Sequence, residues 1–136
     1  MSGQILIVHA QDSVAEAVSL ASDLKQRSFD VVMYKEAKNR AGLGTPIITF
    51  LESLVEDYSA IIIIPSPEFL KDGFLKRIAE LAIYSHKFVP VLIGSPSLEL
   101  PLWFTMYSYA NLNDPKSHEY EMNRLVGSLA YKIKNS

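Results

Sequence analysis

The chain has 136 residues and 13 Lys+Arg against 15 Asp+Glu, a formal charge of −2; this is the length of one domain, spanning residues 1–136, and its balance offers no basic footprint for a nucleic-acid backbone. Hydrophobic residues make up 49% and charged residues 21%, which excludes a disordered chain and provides for a core. The absence of cysteine excludes disulfides, thiolate metal sites and cysteine nucleophiles, and it suits a reducing compartment, so the expected location is cytoplasmic.

The first four residues lack the basic region of a signal peptide, and no leader is expected. Gln4 to Ala10 is apolar on both faces and reads as a strand covered on both sides. Ser13-Val14-Ala15-Glu16 has the form of a capping box, and Val14, Ala17, Val18 and Ala21 follow at helical spacing. Phe29 to Tyr34 reads as a second strand. Lys35 to Gly44 is polar and carries Gly42 and Gly44, which predicts an exposed loop. Thr45 is expected to cap a second helix with Pro46 at its first position, where a missing N–H costs little, and Ile47, Phe50, Leu51 and Leu54 form its apolar stripe.

Ala60 to Ile64 offers water no polar face and is read as the most central strand, ended by Pro65. It is far shorter than the roughly 20 residues that cross a bilayer, so no membrane-spanning segment is expected. Phe74, Leu75, Ile78, Leu81 and Ala82 are spaced for a third helix. Phe88 to Ile93 follows as a strand whose Pro90 suggests an edge or bulge position. Gly94 to Pro101 reads as a loop and Tyr107 to Ala110 as a short last strand. Asp114-Pro115 is expected to open a final helix with Met122, Leu125, Val126, Leu129 and Ile133 on its buried stripe.

This alternation predicts an α/β fold: a flavodoxin-like, doubly wound, parallel five-stranded sheet of order 2-1-3-4-5 with helices on both faces. Ligands or partners of such a sheet meet the loops after the strands, here Ala10 to Asp12, Lys35 to Gly44, Pro65 to Asp72 and Gly94 to Pro101. None of them holds a phosphate-binding loop. Gly42-Leu43-Gly44 supplies two glycines of a dinucleotide fingerprint, but Ile47 stands at the third position. Asp12 is a lone acid after the first strand, and Ile61 to Ser66 holds no carboxylate, so phosphoacceptor chemistry is not expected. His9, His86 and His118 lie in separate segments without metal-ligand spacing. His9 is read as a hydrogen-bonded structural histidine and Ser66 as a cap or turn residue, with no nucleophile elbow around it.

With these elements in place, the chain resembles a Toll/interleukin-1 receptor (TIR) domain and, more distantly, the SEFIR domains. Ile5-Leu6-Ile7-Val8-His9-Ala10-Gln11-Asp12 resembles the family's first box, a strand ending in a small residue and an acid. Gly42-Leu43-Gly44-Thr45-Pro46-Ile47 sits where the family places its BB loop. The third strand with Ile-Ile-Pro-Ser-Pro-Glu-Phe, and Phe88-Val89-Pro90-Val91-Leu92, are similar to the family's later boxes in order and spacing.

The resemblance implies an interaction module that binds other TIR domains in innate-immune-type signalling and self-associates weakly in isolation, with no cofactor and no metal. Its partner-binding surface would be the BB-like segment with Lys35, Lys38, Arg40, Gly42, Leu43, Gly44, Thr45 and Pro46. The usual Arg-Asp and Pro-Gly of that loop are absent, while Lys35 to Arg40 carries a net charge of +2 that suits an acidic partner surface. The alternative implied by the resemblance is an NAD-cleaving enzyme, NAD being its substrate. Aligning Pro90 with the family's fourth-strand proline puts Gly73 at the tryptophan position and Arg77 at the catalytic-glutamate position. A cation there opposes a developing oxocarbenium charge. Glu80, three residues on, would be the displaced carboxylate, and Glu68 the next one to test.

Overall fold

The computed structural model describes residues 3–94 and 98–136. Its five strands are β1 (Ile5–Val8), β2 (Val31–Met33), β3 (Ala60–Ile63), β4 (Phe88–Leu92) and β5 (Ala110–Asn111). They form one sheet in the order β2-β1-β3-β4-β5, and every neighbouring pair is parallel. The α-helices between and after them are α1 (Val14–Gln26), α2 (Tyr34–Ala41), α3 (Ile47–Asp57), α4 (Pro67–Lys71), α5 (Gly73–Tyr84), α6 (Leu102–Thr105) and α7 (His118–Lys134).

Successive strand side chains point to opposite faces, and this alternation divides the core in two. Leu6, Val8, Ile61 and Ile63 pack with Leu51 and Leu54 of α3, Ile78 of α5, Phe69 and Phe104. Ile5, Ile7, Ile62 and Ile64 pack on the other side with Ala17, Leu20 and Leu24 of α1 and Met122, Leu125 and Leu129 of α7. A run of isoleucines is tolerated because both faces are covered, and Ile61 to Ile64 are all 0% exposed. The expected fold class and strand order are therefore the observed ones.

Local departures from the expectations have identifiable causes. Residues 35–41 are not a loop but the body of α2. Lys, Glu, Ala and Arg are good helix formers, Glu36 accepts the Met33 N–H at 3.3 Å, and Ala37 gives the helix one buried contact. Thr45 does not cap α3. Its hydroxyl donates back to the Ala41 carbonyl, while Pro46 is itself the N-cap residue, in extended geometry, with its carbonyl accepting from Phe50 N at 3.1 Å. The Ser13 side chain makes no cap either. Glu16 instead lies against Gly94, where a Cβ would sit 3.1 Å from its Cγ, and Gly94 also has φ +74°.

Pro90 is interior rather than on an edge, paired with Ile63 in register. The β4–β5 ladder begins only at Val91 and Ala110, so the missing N–H falls where no strand lies alongside. Tyr107 and Tyr109 are not in a strand; their rings turn to Phe88 (5.4 Å between centroids) and Phe104 (5.1 Å), leaving β5 two residues long. Asp114 does not open the last helix, because its carboxylate is used in a turn, accepting from Lys116 N at 3.0 Å, and α7 starts at His118. The short helices α4 and α6 were not anticipated. Of the expected loop Gly94 to Pro101, residues 95–97 lie outside the described residues.

Glu121 ties α7 to the last strand. Its carboxylate accepts the Asn111 N–H at 2.8 Å and Arg124 Nη1 at 2.9 and 3.1 Å. The backbone hydrogen bond, helped by the guanidinium, holds its pKa below the ordinary value of 4.5 against the opposing effect of burial. A depressed carboxylate stabilises the fold above its unfolded pKa and loses that contribution as pH falls through the folded one. Thermal melts over a pH series should therefore show the wild type losing Tm below about pH 4.5, and Glu121→Gln losing less over the same interval. Parallel curves would contradict the assignment.

Candidate functional site

The segment that joins α2 to α3 is short and shaped by two glycines. Gly42 ends α2 with φ 79° and Gly44 follows with φ 85°. An added Cβ would meet nothing within 4 Å at either position, so the left-handed backbone rather than crowding calls for glycine. Between them Leu43 is pushed fully into solvent, at 106% of its reference area, and Ile47 and Ile48 at the start of α3 are each 65% exposed. Three large apolar side chains thus stand in solvent within residues 43–48, and clustered exposed apolar surface can mark a contact surface.

Beneath the tip is a cavity of about 240 Å³ lined by Tyr34, Lys38, Ala41, Gly42, Thr45, Ile47, Phe50 and Phe74. Phe50 stacks on Phe74 with 6.3 Å between centroids and 8° between planes, and Tyr34 leans on Phe50 at 6.3 Å. Lys38 holds its ammonium 5.4 Å from the Tyr34 ring centroid. Burial pushes the Tyr34 pKa up to about 12, with the negative charge of Asp72 adding to the effect; its hydroxyl stays protonated at neutral pH and can donate. Among the described residues Lys38 is the one charged side chain of this lining, which contains no carboxylate.

The structure brings Lys38, Gly42 and Thr45 to this cavity and places Leu43, Gly44 and Pro46 on the exposed rim. Arg40 goes elsewhere: it reaches Gln4 Oε1 at 3.5 Å and the Tyr58 hydroxyl, lining a separate groove with Ser53 and Glu56. Lys35 is exposed in the first turn of α2. The basic residues therefore do not form a single patch.

The loops after β1 and β3 are joined by a contact that sequence reading missed. Ser66, fully buried, caps α4 by accepting Phe69 N at 3.1 Å and donates to Asp12 Oδ1 at 2.5 Å. Asp12 Oδ2 accepts Glu68 N at 3.1 Å. The cap reading of Ser66 is thus correct, and Asp12 is its partner. His9 is also structural, with Nδ1 2.8 Å from the Ala10 carbonyl.

Gly73 is the first residue of α5, behind the Asp72 cap. Arg77 and Glu80 pair with each other across one turn at 3.4 Å, their side chains 63% and 60% exposed. The Glu68 side chain is exposed on α4. Among the described residues no three His, Asp or Glu side chains are grouped to hold a metal ion, and no helix is long and apolar enough to cross a membrane.

The winding and the strand order define a flavodoxin-like α/β domain. The TIR domain family model matches residues 5–126, and the chain belongs to that family. It is similar in fold to the TIR domain of the Toll-related receptor TRR-2 from Hydra magnipapillata, with TM-score 0.80, 15% identity, and 96% of this chain and 99% of that chain covered. A prokaryotic SEFIR domain aligns with TM-score 0.60 at 14% identity over 90% of this chain and 94% of that one. A TIR-STING receptor from C. gigas aligns with TM-score 0.60 at 15% identity over 89% of this chain but only 39% of that chain. No curated protein sequence matches.

Proposed function

We propose that the chain is a non-catalytic protein-interaction module of cytoplasmic signalling, of the innate-immune type, that associates with other TIR domains, its own copies included, through the BB-like tip. The observation that carries this reading is Leu43, held fully in solvent between two left-handed glycines beside Ile47 and Ile48. An apolar side chain so displayed gains free energy only when a partner covers it. Lys38 at the edge of the same surface favours a partner with acidic character and affects encounter rate more than affinity.

The tip is small, so association of isolated copies is weak, and tethering or high local concentration is needed to populate it. Sedimentation at micromolar concentration is expected to show monomer or a weak, concentration-dependent dimer. Pro46→His, at an exposed N-cap position, is expected to reduce assembly of concentrated protein while leaving Tm within a few degrees. A constitutive tight oligomer, or assembly indifferent to this substitution, would overturn the reading.

Cleavage of NAD is not part of this function. A ribosyl cation is stabilised by a nearby carboxylate, and the lining beneath the tip offers Lys38 in its place, while Glu80 is engaged with Arg77 on an exposed helix face. Turnover of NAD by assembled protein is expected to stay at the level of a no-protein control. Turnover that Glu80→Ala abolishes in a folded domain would replace the adaptor reading with an enzyme.

A further inference from the structure

Each edge of the sheet has an outward amide held by a glutamate from the helix that follows it. In a parallel ladder the backbone groups of alternate residues turn to opposite sides of the strand. Ile5 N donates to Asp30 O at 2.9 Å and Leu6 is in register with Val32, so Asp30 and Val32 face β1 while Val31 and Met33 turn outward. The outward Met33 N–H is taken by Glu36 Oε1 at 3.3 Å. At the other edge Leu112 N donates to Leu92 O at 2.9 Å, which turns Asn111 outward, and its N–H is taken by Glu121 Oε2 at 2.8 Å.

We infer that Glu36 and Glu121 are edge locks: they keep a second copy of this chain from joining the sheet by strand addition and confine self-association to its loop and helix surfaces. A strand added alongside Met33 or Asn111 must place a carbonyl at the amide that the carboxylate already holds. It would displace a charged acceptor and bring its own carbonyl dipoles against a negative charge. Both carboxylates belong to the first turn of a helix, where the backbone dipole favours them. The two locks differ in strength. Glu121 has an 11% exposed side chain also pinned by Arg124 at 2.9 Å, whereas Glu36 is exposed and its bond is longer, so the β2 edge is the weaker side.

These locks matter because the strands behind them are rich in isoleucine and valine, and unprotected edges of that composition template irreversible cross-β association. A domain meant to gather reversibly at high local concentration needs both edges closed. The inference holds whichever loop or helix surface makes the reversible contact, so it does not depend on the proposed role of Leu43.

The test uses the full chain with Glu36→Ala and Glu121→Ala, singly and together, and Arg124→Ala as a control that removes the ion pair but keeps the Glu121 carboxylate. Amide hydrogen exchange followed by NMR is expected to speed up by about tenfold or more at Met33 in the first variant and at Asn111 in the second, a factor matching the net strength of a hydrogen bond to a charged group. Arg124→Ala should leave Met33 unchanged and should speed Asn111 by no more than a few-fold over wild type. Concentrated double variant is expected to develop a cross-β repeat of about 4.7 Å that persists on dilution, while wild-type assemblies disperse. Unchanged exchange at both amides in the alanine variants, or dispersal of the double variant on dilution, would overturn the inference. Exchange in the wild type covers the case of a variant that does not fold: Met33 and Asn111 must exchange more slowly than free amides, and unprotected rates at both would overturn it as well.

Discussion

Ile62→Ala is expected to cost about 2–5 kcal/mol of unfolding free energy. Ile62 is 0% exposed in β3, the middle strand of the sheet, and its side chain packs with the α1 and α7 residues of one core half. Its neighbours belong to a hydrogen-bonded sheet and to two long helices, so they cannot collapse far into the space left by three carbons. A domain of this size holds roughly 5–15 kcal/mol in total, and the loss should lower Tm by roughly 10 °C or more. Denaturant titration is the check, with a reduced midpoint and an unchanged slope. Ile62→Val at the same place should cost only about 0.5–1.5 kcal/mol, and equal costs for the two variants would mean that the site is not close-packed.

Leu43→Asp is expected to do the opposite, abolishing association while leaving stability within about 0.5 kcal/mol of wild type. The side chain touches solvent on all sides in the free molecule, so folding draws nothing from it. Burying a leucine against a partner contributes about 1.5–3 kcal/mol, and each 1.4 kcal/mol is about tenfold in Kd. Replacement by a carboxylate loses that term and adds the cost of desolvating a charge. A rise of at least about tenfold in the dissociation constant of self-association, read by sedimentation, is the expected result. Leu43→Met, which keeps the apolar surface, should associate nearly as the wild type does.

The sheet was legible because its signal is one-dimensional. A short run of β-branched isoleucines without alternation, ended by Pro65, reads as a strand covered on both faces, and order and handedness then follow from helices placed between parallel strands. Pro90 shows where that reading stops. A strand proline implies an unpaired position, but whether this means an edge or an offset of the neighbour depends on β5 starting at Ala110, which local sequence does not reveal. Residues 35–41 were misread because polarity and two nearby glycines suggested a loop, while the helix-forming side chains and the buried Ala37 required a helix.

The turn between α2 and α3 was legible in the sequence, and the direction of its side chains was not. Gly42 and Gly44 mark a turn by their positive φ, yet the net charge of the segment says nothing of direction, and Arg40 turns to Gln4 and Tyr58. Contacts between distant positions were out of reach: Asp12 and Ser66 meet across 54 residues, and no local pattern in either loop announces the partner. Glu121 was likewise hidden, since an acid in the first turn of a helix is ordinary and only the fold places Asn111 N beside it.

The central claim is that this domain works by contact through the tip formed by residues 42–48. It is tested most directly by NMR on isotope-labelled wild-type protein, following backbone amides as unlabelled copies are added. The account predicts progressive, reversible shifts centred on Gly42, Leu43, Gly44, Ile47 and Ile48, absent when Leu43→Asp protein is labelled and titrated with itself. Shifts that leave these residues untouched, or an association that proceeds undiminished in Leu43→Asp, would contradict it.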